Sequence, residues 1–225
     1  MTAQTERPRP ESLWPARLAI IAVIGLNVAL SDELTFGPTW LLPGLELLLL
    51  LPISLLRSRE HARAHRLGLS AADLPRLTRR LALVLIGLLH FSNLASLVLL
   101  IQSLLSGQGA SGSTLLAGAL NIWSTNVLVF SLWYWELDQG GPLFRHRCGQ
   151  PLDFLFPQTN APALAPHWRP EYLDYLFVAF TNAAAFSPTD TLPLTRRIKG
   201  LMTVQAATSM LTVVLVASRA VNILK

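Results

Sequence analysis

Apolar residues along this chain fall into long blocks separated by short polar or proline-rich stretches, not into the spaced stripes of a soluble core. The blocks run over 18–30, 40–56, 81–105, 115–135, 172–186 and 198–224. A helix crossing a hydrocarbon layer of roughly 30 Å needs about 20 such residues. The pattern therefore predicts an all-α integral membrane protein with about six transmembrane helices, over approximately 15–31, 40–56, 81–105, 115–135, 170–187 and 197–224. Residues 14–225 form one transmembrane domain, and the Pro- and Arg-rich residues 1–13 form a disordered cytoplasmic tail. No internal repeat relates the blocks, and no small-residue cleavage site marks the first as a removed signal.

The fifth block is the weak one. Pro170 to Ser187 would make a helix of about 27 Å, just enough to cross. It carries Thr181 and Asn182 and breaks at Ser187-Pro188, so a re-entrant loop is the competing expectation. Spanning is favoured, because a broken helix in lipid must be buried in protein. A re-entrant result would point to a homo-oligomer with a central cavity. Pro170, Glu171 and Asp174 suit a helix start in either case.

Composition agrees with the pattern. The chain is 52% hydrophobic and 14% charged, where soluble domains carry about a quarter charged residues. The net charge of +5 comes from Arg residues flanking the apolar blocks, not from one patch, so the expected partner is the lipid bilayer and not nucleic acid. Arg57, Arg59, Arg63, Arg66, Arg76, Arg79 and Arg80 lie between the second and third blocks, whereas 31–39 and 106–113 contain no Lys or Arg. Basic loops stay in the cytoplasm, which places the amino terminus, 57–80 and 136–170 inside. Six crossings put both termini inside but leave Arg196, Arg197 and Lys199 outside. Re-entry keeps those three inside and sends the carboxyl terminus out.

The 136–170 loop opens on an aromatic group. Trp133, Tyr134 and Trp135 suit an interfacial belt, Glu136 and Asp138 the water boundary, and Gly140-Gly141-Pro142 a helix stop. Phe154, Leu155 and Phe156 suit a segment lying along the membrane surface.

Ionisable groups inside a membrane are candidate sites because burying them unpaired is costly. Glu46 lies roughly 9 Å below the outer edge and His90 roughly 15 Å deep at helical rise, with Asn93 on the same face as His90. The sharp expectation is a proton or cation site formed by Glu46, His90 and Asn93; the plain one is an interhelical hydrogen bond, which carries more weight. Asn27, Asn121, Asn126, Thr181, Asn182 and Gln205 read as helix-packing hydrogen-bond formers, and Asn121 with Thr125 as an i,i+4 pair. Arg196 and Arg197 are candidates to pair with Asp190, and Arg219 either pairs with a buried acid or snorkels. Thr191 or Thr195 is the candidate cap of the last helix. One cysteine, Cys148, excludes an intrachain disulfide, and His61 and His65 read as a solvated face. There is no phosphate-binding loop, G-x-S-x-G, H-E-x-x-H or Cys cluster, so neither an enzyme activity nor a cofactor is expected.

Four phrases in order, "ELTFGPTWLLPGLELLL", "WYWELDQGGP", "DFLFPQ" and "DYLFVAFTNAAAFSPTDTLPLTRRIKGLM", resemble a bacterial family of multi-pass inner-membrane proteins of unknown function. The resemblance implies a bacterial inner membrane and brings no catalytic residue. The last 50 or so residues distantly resemble the pore helix, filter and inner helix of two-span potassium channels. Registered on Asp190 and Pro193, the filter positions are Ala185, Phe186, Ser187, Pro188 and Thr189, so the loop break is Ser187 to Asp190. Ser187 and Thr189 stand where that filter needs glycine, and Pro188 where it has an aromatic, so a filter of that type cannot form. Two functional expectations remain: a small transporter or channel-like protein, weakly favoured, and a non-transporting membrane scaffold or partner subunit.

Overall fold

A computed structural model describes residues 11–30, 34–35, 43–48, 73–106, 112–145, 151–166, 168–187 and 190–223. It is mostly helical: α1 (Trp14–Ala29), α2 (Asp73–Ser106), α3 (Gly112–Leu137), α4 (Pro157–Asn160), α5 (Tyr172–Ala184) and α6 (Arg196–Ile223). Two short strands, β1 (Phe154–Leu155) and β2 (Leu192–Pro193), pair antiparallel. Among the described residues three helices, α2, α3 and α6, are long and apolar enough to cross a membrane, and α1 is a shorter apolar helix. Most of the expected 40–56 span lies outside the described residues, although 43–48 is helical.

Local chemistry explains the boundaries. Pro15 stands in the first turn of α1, where its missing N–H costs nothing. α2 begins at Asp73, eight residues before its apolar block, so Arg76, Arg79 and Arg80 ride on a helical extension of the span instead of in a loop. The acid in its first turn complements the helix dipole. α3 stops where expected: a tight turn over Asp138–Gly140 follows, with Gly140 and Gly141 at φ 83° and 86°.

Gly141 is held there by space as well as by φ. A Cβ on it would lie 2.5 Å from Glu136 Oε2 and 2.8 Å from the Glu136 carbonyl oxygen. Gly141→Ala should therefore destabilise the protein by about 1–3 kcal/mol, since backbone cannot yield as a side-chain tip can. Thermal unfolding in detergent measures this, and an unchanged midpoint would mean that the turn relaxes freely.

α3 is the central helix, with 61% of its apolar window buried against 28% for α6. Its neighbours all run opposite to it. Glu11, just before α1, meets Trp135 and Arg145, while Asn121 donates to the Leu26 carbonyl near the other end of α1 at 2.8 Å. Arg79 of α2 reaches the Glu136 carbonyl, and His90 packs on Phe130. One end of the bundle thus gathers the starts of α1, α2, α5 and α6 around the finish of α3. Except for Arg219, whose position on α6 is near the other end, the described Lys and Arg residues all belong to that end: Arg17, Arg76, Arg79, Arg80, Arg145, Arg169, Arg196, Arg197 and Lys199. It is called the basic end below.

The main core forms beneath it, around Leu85, Leu89, Phe130, Tyr134, Phe154, Tyr175 and Ile198. A smaller core of Leu30, Leu34, Leu97, Leu100, Leu115 and Ile122 lies at the far end.

Candidate functional site

α5 and α6 both start at the basic end. Tyr172 shares a 2.6 Å hydrogen bond with Ser131 and stacks edge-on against Trp135, while Phe180 meets Trp123 twelve residues further down α3. Along α6, an Arg197 N–H donates to the Leu137 carbonyl, Tyr134 donates to Gln205 at 2.6 Å, and Asn126 donates to Ser209 at 2.8 Å. Two helices that both oppose α3 run parallel to each other. The chain must therefore double back between Ala184 and Arg196.

The helix over 170–187 is also shorter than the expected crossing. α5 has 13 residues, about 20 Å at helical rise and short of a 30 Å slab. The return is direct: Leu192 and Pro193 already pair with β1 at the basic end, and the eight steps from Ala184 span about 26 Å when extended. The reversal after α5 includes Phe186 at φ 55°, the left-handed region that a bulky residue adopts rarely. Ala184, Ala185, Phe186 and Ser187 are exposed at the tip. Pro188 and Thr189 lie outside the described residues.

Two buried polar clusters hold this hairpin. At the basic end, Asp138 is fully buried and accepts from the Asp153 N–H (3.0 Å), the Phe154 N–H (3.3 Å) and the Tyr175 hydroxyl (2.6 Å). Asp153, also fully buried, accepts from the Thr195 hydroxyl at 2.6 Å and from Arg197 Nε at 2.9 Å, and forms an ion pair with Arg197 Nη2. The 151–156 segment is thereby clasped between the end of α3 and the start of α6. Beside it, Arg145 donates to Glu11 (2.6 Å), to the Trp135 carbonyl (2.7 Å) and to the Pro170 carbonyl (3.2 Å), with its guanidinium over the Tyr175 ring. Burial pushes the Glu11 carboxyl above the ordinary glutamate value, with Arg145 and the Trp135 N–H opposing that rise. Residues 11–13, expected within the disordered tail, are thus tied into the bundle.

The second cluster lies within the bundle. Gln205 Oε1 accepts from Tyr134 and from Asn182 (2.8 Å), and its amide donates to the Ala179 carbonyl at 2.8 Å. Asn182 also donates to the Met202 carbonyl, and Asn126 to the Gln205 carbonyl. These bonds join α3, α5 and α6, so Asn126, Asn182 and Gln205 do bridge helices. Thr181 does not: its hydroxyl returns to the Phe177 and Val178 carbonyls of its own helix. Asn126 Oδ1 is buried without a hydrogen-bond partner.

Other expectations change. Glu46 and His90 are not brought together. The Glu46 carboxylate takes the Asn27 amide, while His90 stacks edge-on against Phe130 with Nδ1 buried and unbonded. Asn93 is buried on the same helix as His90. Arg197 pairs with Asp153 and not with Asp190, whose carboxylate accepts from Thr191. Thr195 spends its hydroxyl on Asp153 instead of capping α6. Arg196 is exposed, and the Arg219 side chain lies outside the described residues. Tyr134 and Trp135 are buried in the bundle rather than forming a lipid-facing belt, and Glu136 and Asp138 are buried too. Phe154 and Phe156 dip into protein, against Tyr175 and Trp168. Glu171 and Asp174 start α5 as read, with a reciprocal capping box between them, while Pro170 stands just before the cap and not in the first turn.

No group of three or more metal-ligating side chains occurs among the described residues. No family model, curated protein or solved structure matches this chain.

Proposed function

We propose that this chain is a multi-pass membrane protein in which α5 re-enters the bilayer from the basic side and, with α6, lines a path for small ions. The reading rests on one observation: α5 and α6 start at the same end of α3. With α1, the 40–56 block, α2, α3 and α6 crossing, there are five spans and one re-entrant helix. The basic end faces the cytoplasm, by the preference of basic segments for that side, in what the sequence resemblance implies is a bacterial inner membrane. The amino terminus is then inside and the carboxyl terminus outside, in place of two internal termini. Arg196, Arg197 and Lys199 rejoin the other basic residues, which removes the charge conflict of a six-span topology.

The hairpin resembles the pore-loop arrangement of two-span channels in outline, but it enters from the basic side and lacks their filter glycines. Its own chemistry favours cations. The carbonyl end of α5, the negative pole of its dipole, stands at the exposed 184–187 tip. Non-helical backbone at membrane depth must be covered by protein or face water. Since 184–187 are exposed in the single chain, further copies would enclose them around a cavity.

The test is flux through liposomes holding the purified chain. Ala184→Cys in a Cys148→Ser background should conduct K⁺, Na⁺ or protons until a bulky thiol reagent is added, then lose most of that flux; the parent should be insensitive. No flux under any gradient would favour the alternative, a non-transporting scaffold or partner subunit, for which the interhelical Asn and Gln bonds suffice.

A further inference from the structure

Glu46 is fully buried, yet among the described residues no compensating charge lies on it. Its two oxygens lie 2.9 and 3.2 Å from a single donor, the side-chain nitrogen of Asn27 in the last turn of α1. That turn is itself fixed: Asn121 of α3 donates to the adjacent Leu26 carbonyl at 2.8 Å. Among the described residues no Lys, Arg or His forms an ion pair with Glu46, and His90 is engaged with Phe130. Among the described residues Asn27 is the one polar side chain that bonds it, and it is neutral.

An ionised carboxylate buried against one amide is left with most of its acceptor capacity unfilled and no counter-charge, which the interior of a membrane protein penalises heavily. Adding a proton relieves both faults. In the neutral acid one oxygen keeps the Asn27 N–H and the other carries the hydrogen. We propose that Glu46 and Asn27 form a proton-binding site at the α1 interface. Asn27 lies roughly 20 Å along α1 from Trp14, inside the bilayer but toward the far side. A groove between α1 and α3, walled by Leu26, Thr114, Gly118, Asn121 and Ser124, lies beside that turn. The site goes beyond the path along α5 and α6, since it joins Asn27 of α1 to the 43–48 helical segment.

Its test is chemical and independent of flux. An apolar carbodiimide modifies protonated carboxyls in apolar surroundings and spares ionised ones. The full chain in liposomes, treated at pH 7 and analysed by peptide mass spectrometry, should carry an adduct on Glu46. The yield should fall by about tenfold per pH unit above the carboxyl's midpoint. Glu46→Gln, which mimics the neutral acid, should elute like the parent in gel filtration and lose the adduct. Asn27→Ala, which removes a bond the ionised form also uses, should keep the adduct to higher pH. The site as proposed would be overturned by an adduct found only in denatured protein. Suppression of the adduct by Na⁺ or K⁺ at constant pH and ionic strength would overturn it too, making the occupant a metal cation instead.

Discussion

Asp138→Ala should be among the most damaging single substitutions in this protein, costing roughly 3–5 kcal/mol, because it strands three donors at once. The Asp153 and Phe154 N–H groups and the Tyr175 hydroxyl all end on this one carboxylate. Asp138, Asp153, Phe154 and Tyr175 are each at most 1% exposed, so water cannot take over. Leaving a buried donor unbonded costs about 1–3 kcal/mol, and partial collapse around the site keeps the total below the simple sum. For a chain of this size the thermal midpoint in detergent should fall by roughly 10 °C. Asp138→Asn retains one acceptor oxygen and should fall between the two. Asp73→Ala is the control: its partner Arg76 is 3.7 Å away and both side chains are more than half exposed, so the loss should be no more than about 1 kcal/mol. A midpoint for Asp138→Ala within the range of that control would show that the clasp contributes nothing.

The clasp also marks where reading the chain alone stops. Boundaries set by local chemistry are legible: the glycines that end α3 and the acids that start α5 act within a few residues of themselves. Asp138 and Asp153 look like surface acids beside an interface, because the donors that bury them come from Tyr175, Thr195 and Arg197, 37 to 44 residues away in sequence. The buried positions of Tyr134 and Trp135 were hidden for the same reason: the 151–156 segment that helps close that end of the bundle is joined to it only by these long-range bonds. Counting residues from an interface places Glu46 and His90 at plausible depths, but depth gives height and not direction around a helix. Their partners, Asn27 and Phe130, stand on different helices. In contrast, Asn126, Asn182 and Gln205 were readable as bridging residues, since an amide inside an apolar block has few other uses.

The direction of α5 was the least legible feature, because the charge rule and the helix-length rule opposed each other over 170–197. Length permits a thin span, while charge asks Arg196, Arg197 and Lys199 to stay with the other basic residues. The Asp153–Arg197 ion pair and the β1–β2 pairing tie the start of α6 to the same loop that touches the end of α3, which is the arrangement that the charge rule asks for. Surface charge pairs seldom hold a fold, but this one has its acid fully buried and is backed by Thr195 and the strand pair.

Thiol labelling separates the two topologies with an all-or-none outcome. In a Cys148→Ser background, single cysteines replace Leu192, which is 56% exposed, and Ser113, which is exposed at the start of α3. Sealed, right-side-out vesicles receive a membrane-impermeant reagent. With α5 re-entrant, Leu192→Cys lies at the basic end and Ser113→Cys at the far end, so Ser113→Cys reacts at once and Leu192→Cys only after permeabilisation. Inverted vesicles should exchange the two results. With α5 spanning, residue 192 would share the side of residue 113, and both cysteines would react together in one vesicle orientation. Joint labelling would remove the hairpin and the ion path built on it, while leaving the Glu46 site standing on α1. Opposite labelling leaves the exposed 184–187 tip at membrane depth, where it needs protein or water around it. The same vesicles, cross-linked, should then yield more than one copy of the chain per particle.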